Sequence, residues 1–141
     1  MEKTSFEKLR VYQLAEELAN EIWGMAIRWE RFARDTVGKQ IVRSADSIGA
    51  NIAEGVGRGS LLDNRRFVWT ARASLNETKH WLRLAYQRGL LDERTVQKVK
   101  PLVDELGPKL NAYLRSITDR SQRGRPAGPP QSTTHNQQLT R

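Results

Sequence analysis

The sequence predicts an all-α protein, an antiparallel up-down-up-down four-helix bundle with a disordered C-terminal tail. Three observations carry that expectation. Apolar residues recur at spacings of three and four, in four separate segments. The breaks between those segments are short and hold glycine, serine or aspartate, and no segment alternates with the period of two that a strand would need. Four amphipathic helices with short connections are most economically satisfied by a bundle.

The first stripe is Val11, Leu14, Leu18, Ile22, Met25 and Trp29, and it predicts a helix to about Phe32. Thr4 followed by Glu7 has the spacing of a capping box at its start. The second stripe, Val37, Ile41, Ala45, Ile48 and Ile52, stops at Gly55-Val56-Gly57-Arg58-Gly59, where glycine offers the left-handed turn that ends helices. Ser60, with Asp63 three residues on, then caps a third helix. Its core positions are Leu61, Val68, Leu75 and Leu82, joined by Ala71, Thr78 and Ala85, and Gly89 terminates it. Asp92 caps a fourth helix with the stripe Val96, Val99, Val103, Leu106, Leu110, Leu114 and Ile117. Pro101 and Gly107-Pro108 interrupt that stripe and predict a kink, because proline removes a donor and clashes with the preceding turn. Residues 1–118 form the expected bundle, and 119–141, rich in Pro, Gly and Gln, have almost nothing to bury.

Composition narrows the function. At 141 residues the chain fits one domain. It has no cysteine, which excludes disulfides and thiolate metal sites and suits a reducing cytoplasm. His80 and His135 cannot build a metal cluster alone, and no cofactor is expected. No apolar run approaches the roughly 20 residues of a membrane span, and the start MEKTSFEK lacks the pattern of a signal peptide. A soluble cytoplasmic protein with no membrane partner is the expectation. No convergent carboxylates, activated nucleophile or histidine pocket is visible, so no enzymatic role is expected.

The formal net charge of +8 makes a polyanion the default partner, RNA or DNA first. The excess is concentrated: residues 60–89 hold six Lys or Arg against two acids, whereas residues 1–35 hold six against seven. Wound into a helix, Arg65, Trp69, Arg72, Asn76, Lys79 and Arg83 fall within about 40° of one line, with Arg66 beside it. Cations at that spacing neutralise phosphates, and Trp69 can stack on an unpaired base. An ordinary solvated face is the competing reading. Arg120, Arg123 and Arg125 in the tail could add phosphate contacts of no sequence preference.

On the second helix a polar stripe of Gln40, Arg43, Ser47, Asn51, Glu54 and Arg58 is expected roughly opposite the core. It either faces water or docks a second subunit. Gly55-x-Gly57-x-Gly59 is not a dinucleotide fingerprint, since a helix rather than a strand precedes it.

The stretch QIVRSADSIGANIAEGVGR, followed by RRFVWTARASLNETKHWL and LAYQRGLL, resembles the 23S ribosomal RNA intervening-sequence proteins, a bacterial four-helix bundle family, over about residues 6 to 117. Ser47-Ile48, Ala50 through Gly55 and Gly57-Arg58 follow the family pattern, and Phe6, Leu9 and Tyr12 resemble its opening. The resemblance implies a bundle assembling as a homopentamer without catalytic activity. It also implies kinship to accessory variability determinants of diversity-generating retroelements, whose partners are nucleic acid and a reverse transcriptase. Two readings result: a nucleic-acid-binding accessory, and a scaffold for an acidic or reverse-transcriptase-like protein.

Overall fold

The four apolar stripes become four long helices in the computed structural model, which describes residues 6–123. They are α1 (Arg10–Ala26), α2 (Lys39–Val56), α3 (Leu61–Gln87) and α4 (Glu93–Arg123), and no strand occurs among the described residues. Each helix packs against two others in the cyclic order α1, α2, α3, α4, and α2 against α3 is the most extensive pairing. One continuous core results, from Val11, Leu14, Leu18 and Ile22 of α1 through Ile41, Ile48 and Ile52 of α2 and Val68 and Leu75 of α3 to Leu106, Leu110 and Ile117 of α4. Burying side chains of this size contributes about 1.5–3 kcal/mol each, which is what holds the marginal helices in place.

Two caps form as expected. The Asp63 amide donates to Ser60 Oγ (3.4 Å), and the Thr95 amide donates to Asp92 Oδ1 (2.7 Å). Thr4, the first half of the expected capping box, lies outside the described residues, as does the tail after Arg123. The hydrogen bonds from Thr95, by side chain and then backbone, hold the Asp92 carboxyl below the usual carboxylate range. A carboxyl whose folded pKa is depressed stabilises the fold above its ordinary value of about 3.9 and loses that contribution as the pH falls through the folded value. Asp92→Ala should therefore lower the melting temperature at neutral pH, with the difference from the parent shrinking below about pH 4, as paired thermal melts across pH would record.

The first helix ends earlier than its stripe suggests. It stops at Ala26, and a single helical turn at Arg31–Ala33 and a π-helical stretch at Arg34–Gly38 lead into α2. The cause is tertiary: a half-buried indole needs an acceptor, and Trp29 Nε1 donates to the Leu90 carbonyl in the α3–α4 turn (3.1 Å). Trp29 thus closes the end of the bundle instead of continuing the α1 stripe. Leu61, expected in the core, is exposed in the first turn of α3.

The glycines also work differently from the expectation. No residue between Gly55 and Gly59 adopts a positive φ; the left-handed terminator is Gly89 (φ 75°), after α3. Gly55 is needed for space, since a methyl group there would lie 2.6 Å from Asn64 Oδ1, 3.0 Å from Phe67 Cβ and 3.2 Å from the Asn64 carbonyl oxygen. α4 runs unbroken through Pro101 and Pro108 to Arg123, five residues past the expected end. Both prolines are exposed and seven residues apart, so the backbone carbonyls they free face water, which satisfies them.

Candidate nucleic-acid interface

The α3 stripe survives as one surface. Trp69, Arg72, Lys79 and Arg83 line clefts between α3 and α4, so this part of the surface is the rim of a two-helix groove rather than an isolated ridge, and Arg65 and Asn76 fall on the same line of α3 by helical spacing. Asn76, Lys79 and Arg83 are exposed, Arg72 and Arg65 half-buried, and Trp69 is 47% exposed. Arg65, Arg72, Lys79 and Arg83 form no ion pair among the described residues. Four unneutralised cations on one flank leave a positive potential for a polyanion. Arg66 differs, because it pairs with Asp63 one turn back and offers less free charge.

The far wall of the groove comes from α4, and the sequence reading missed it. Near the C-terminal end of α3, Lys79, Arg83 and Tyr86 face Val96, Val99, Lys100 and Val103 across a groove of about 480 Å³. Further along, Trp69 and Arg72 face Asn111, Leu114, Arg115, Thr118 and Asp119 across one of about 370 Å³. The available signal was the repeat Val96, Lys100, Val103, Gly107, Asn111, Leu114, Thr118, spaced by threes and fours on one edge of the fourth helix. The Arg72 guanidinium lies 5.1 Å from the centre of the Trp69 ring, a cation–π contact that fixes the indole at the surface.

The α2 polar stripe is not opposite the core. Ser47 and Asn51 flank the core on the side of α3 and are engaged within the chain, while Arg43 borders the groove toward α1. Ser47 Oγ and Ser74 Oγ are 2.9 Å apart, and Asn51 Nδ2 donates to the Ser47 carbonyl (2.8 Å) and to Ser47 Oγ (2.9 Å). Deeper in the same seam, Thr78 Oγ1 sits 2.9 Å from Ser44 Oγ and 2.8 Å from the Ser74 carbonyl. These hydroxyls allow α2 and α3 to approach closely while every buried polar atom of the ladder keeps a partner. Arg58 pairs with Glu54 (2.8 Å) and lies 4.9 Å from the centre of the Phe67 ring. Gln40 and Arg43 alone of the stripe point to solvent without a partner in the described chain.

A family model for the 23S rRNA-intervening sequence protein matches residues 7–112, most of the bundle. The chain belongs to that family. The 23S rRNA-intervening sequence match spans α1, α2, α3 and the first two-thirds of α4, including every residue of the α3 stripe. A crystal structure of a protein with unknown function from the S23 ribosomal protein family of Bacteroides thetaiotaomicron VPI-5482 is similar in fold. It shares 25% identity, covering 74% of this chain and 98% of that one, with a TM-score of 0.66. No curated protein matches the chain. The family takes its name from an intervening sequence of 23S rRNA.

No helix among the described residues is long and apolar enough to cross a membrane. Besides the α3–α4 groove, Trp23 (56% exposed) and Ile27 border a groove of about 390 Å³ between α1 and the start of α2, and Phe32, in the connection between those helices, is exposed as well.

Proposed function

We propose that this protein is a non-enzymatic accessory that binds RNA or DNA through the basic α3 flank of an antiparallel up-down-up-down bundle. The single observation that carries the reading is the run of Arg72, Lys79 and Arg83 along the α3–α4 groove, continued by Arg65 on the same line of α3, without an ion-pair partner among the described residues. Phosphates spaced along a strand meet cations spaced along a helix, and counterion release drives the association. The antiparallel arrangement is supported by contacts that move in opposite directions along neighbouring helices: Ser44 with Thr78, Ser47 with Ser74, and Gly55 with Asn64.

Self-association, as the homopentamer the family resemblance implies, is part of the proposal. Its support is the exposed pair Trp23 and Ile27, beside a groove that Arg43 also lines, which a second copy would remove from water. Gln40 and Arg43 remain the α2 residues free to join such a contact. In a retroelement setting a reverse transcriptase would be a second partner. The cysteine-free composition suits the cytoplasm.

Fluorescence anisotropy of a labelled RNA or DNA strand tests the reading. Binding is expected at about 50 mM salt, with log K falling linearly against log salt at a slope of roughly −2 to −3 for four cations on a single strand. A protein that retains neither RNA nor DNA at that salt contradicts it.

A further inference from the structure

We infer that the α3–α4 groove at Trp69 is a seat for one unpaired nucleobase, so that the protein prefers single-stranded over duplex nucleic acid. The inference rests on the proposed nucleic-acid reading and narrows its ligand. Phosphate neutralisation alone does not favour a strand over a duplex, because the duplex presents the same charged oxygens at higher density. Trp69 does distinguish them. Its ring is 47% exposed in a cleft of about 370 Å³, within the range of roughly 300–1,000 Å³ that accommodates small ligands. An indole face stacks only on a base face that is free, and in a duplex those faces are occupied by neighbouring base pairs.

The residues around the ring complete a nucleotide-sized set. Arg72, already against the indole, and Arg115, on the α4 wall, are cations with no ion-pair partner among the described residues, at the two sides of the cleft. They suit the phosphates on either side of a stacked base. Asn111 carries both a donor and an acceptor for a base edge, and Thr118 offers a hydroxyl. Asp119 accepts only, which matches a base amino group or a sugar hydroxyl. It would repel a phosphate placed beside it, so the strand backbone runs nearer Arg72 and Arg115. Leu114 supplies the apolar floor.

The test compares a labelled single strand of about 12 nucleotides with a duplex of the same length, at low salt, for the full-length protein and its Trp69→Ala and Trp69→Phe variants. The parent should bind the strand more tightly than the duplex. Trp69→Ala should lose about tenfold for the strand while duplex binding stays within about twofold, and Trp69→Phe should recover most of the loss. Thermal unfolding of Trp69→Phe should match the parent and Trp69→Ala should melt only slightly lower, because the ring is half-exposed and outside the core cluster and the alanine variant loses the Arg72 cation–π contact. Equal affinity for strand and duplex, or a Trp69→Ala variant that loses both equally or neither, overturns the inference and leaves the polyanion reading standing. No binding of either probe by the parent removes both.

Discussion

Replacing Arg72, Lys79 and Arg83 together by Glu is expected to weaken nucleic-acid binding at least 100-fold at about 50 mM salt, with little change in thermal stability. The size of the effect follows from charge. Each substitution removes an attraction to phosphate and installs a repulsion, and a unit charge pair at contact distance is worth about 1 kcal/mol even in bulk water. Three sites reversed therefore cost several kcal/mol, a factor of 100 or more. Stability should hold because none of the three is in an ion pair within the chain, and Lys79 and Arg83 are exposed. Arg72 is the exception to watch, since its cation–π contact with Trp69 is lost, and such contacts contribute about 0.5–1 kcal/mol at exposed sites. Anisotropy titrations beside thermal melts separate the two effects. Unchanged binding would move the function to another surface, and the scaffold reading would take precedence.

Gly55→Ala is expected to destabilise the bundle by about 2–3 kcal/mol, a fall of roughly 10 °C in melting temperature for a domain of this size. The usual effect of putting Ala into a helix is the opposite, because glycine loses more backbone freedom on folding. Here the added methyl would meet the Asn64 side chain, the Asn64 carbonyl and Phe67 Cβ at 3.2 Å or less, so α3 backbone must move. Asn64 is itself buried and its Oδ1 has no partner, which leaves it no polar gain to offset a shift. Gly59→Ala is the control: its added methyl meets nothing within 4 Å, and its stability should stay within about 0.5 kcal/mol of the parent or rise. Chemical denaturation of the two variants decides it. Equal stability for both would show that the α2–α3 seam is looser than these distances.

The sequence makes the helices legible because Ile41, Ile48 and Ile52, or Leu106, Leu110 and Ile117, repeat with the period of the helix itself. It does not reveal what depends on a partner helix. The role of Gly55 is fixed by Asn64 and Phe67, on a helix that folds back onto it, while local pattern reads the same glycine as a terminator. The early end of α1 depends on the Leu90 carbonyl, more than sixty residues away from Trp29. Ser47 and Asn51 read as surface in the sequence because the apolar stripe marks only the centre of the buried face. A helix in a bundle touches two neighbours, so its buried arc is wider than the stripe, and small hydroxyl residues fit its edge. The α3 cations are legible for the converse reason: Arg and Lys at helical spacing on a solvent-facing flank need no partner to be seen. Their α4 counterparts, Asn111 and Arg115, needed the packing of the two helices to be placed.

The salt dependence of the neutral variant Arg72→Gln/Lys79→Gln/Arg83→Gln, set beside that of the parent, asks most directly whether these side chains contact phosphates. For a single strand each lost contact removes about 0.7 from the slope of log K against log salt, so the variant should be shallower by roughly 2. A variant whose slope equals that of the parent, whatever its affinity, would mean that the α3 flank does not touch the backbone of the nucleic acid.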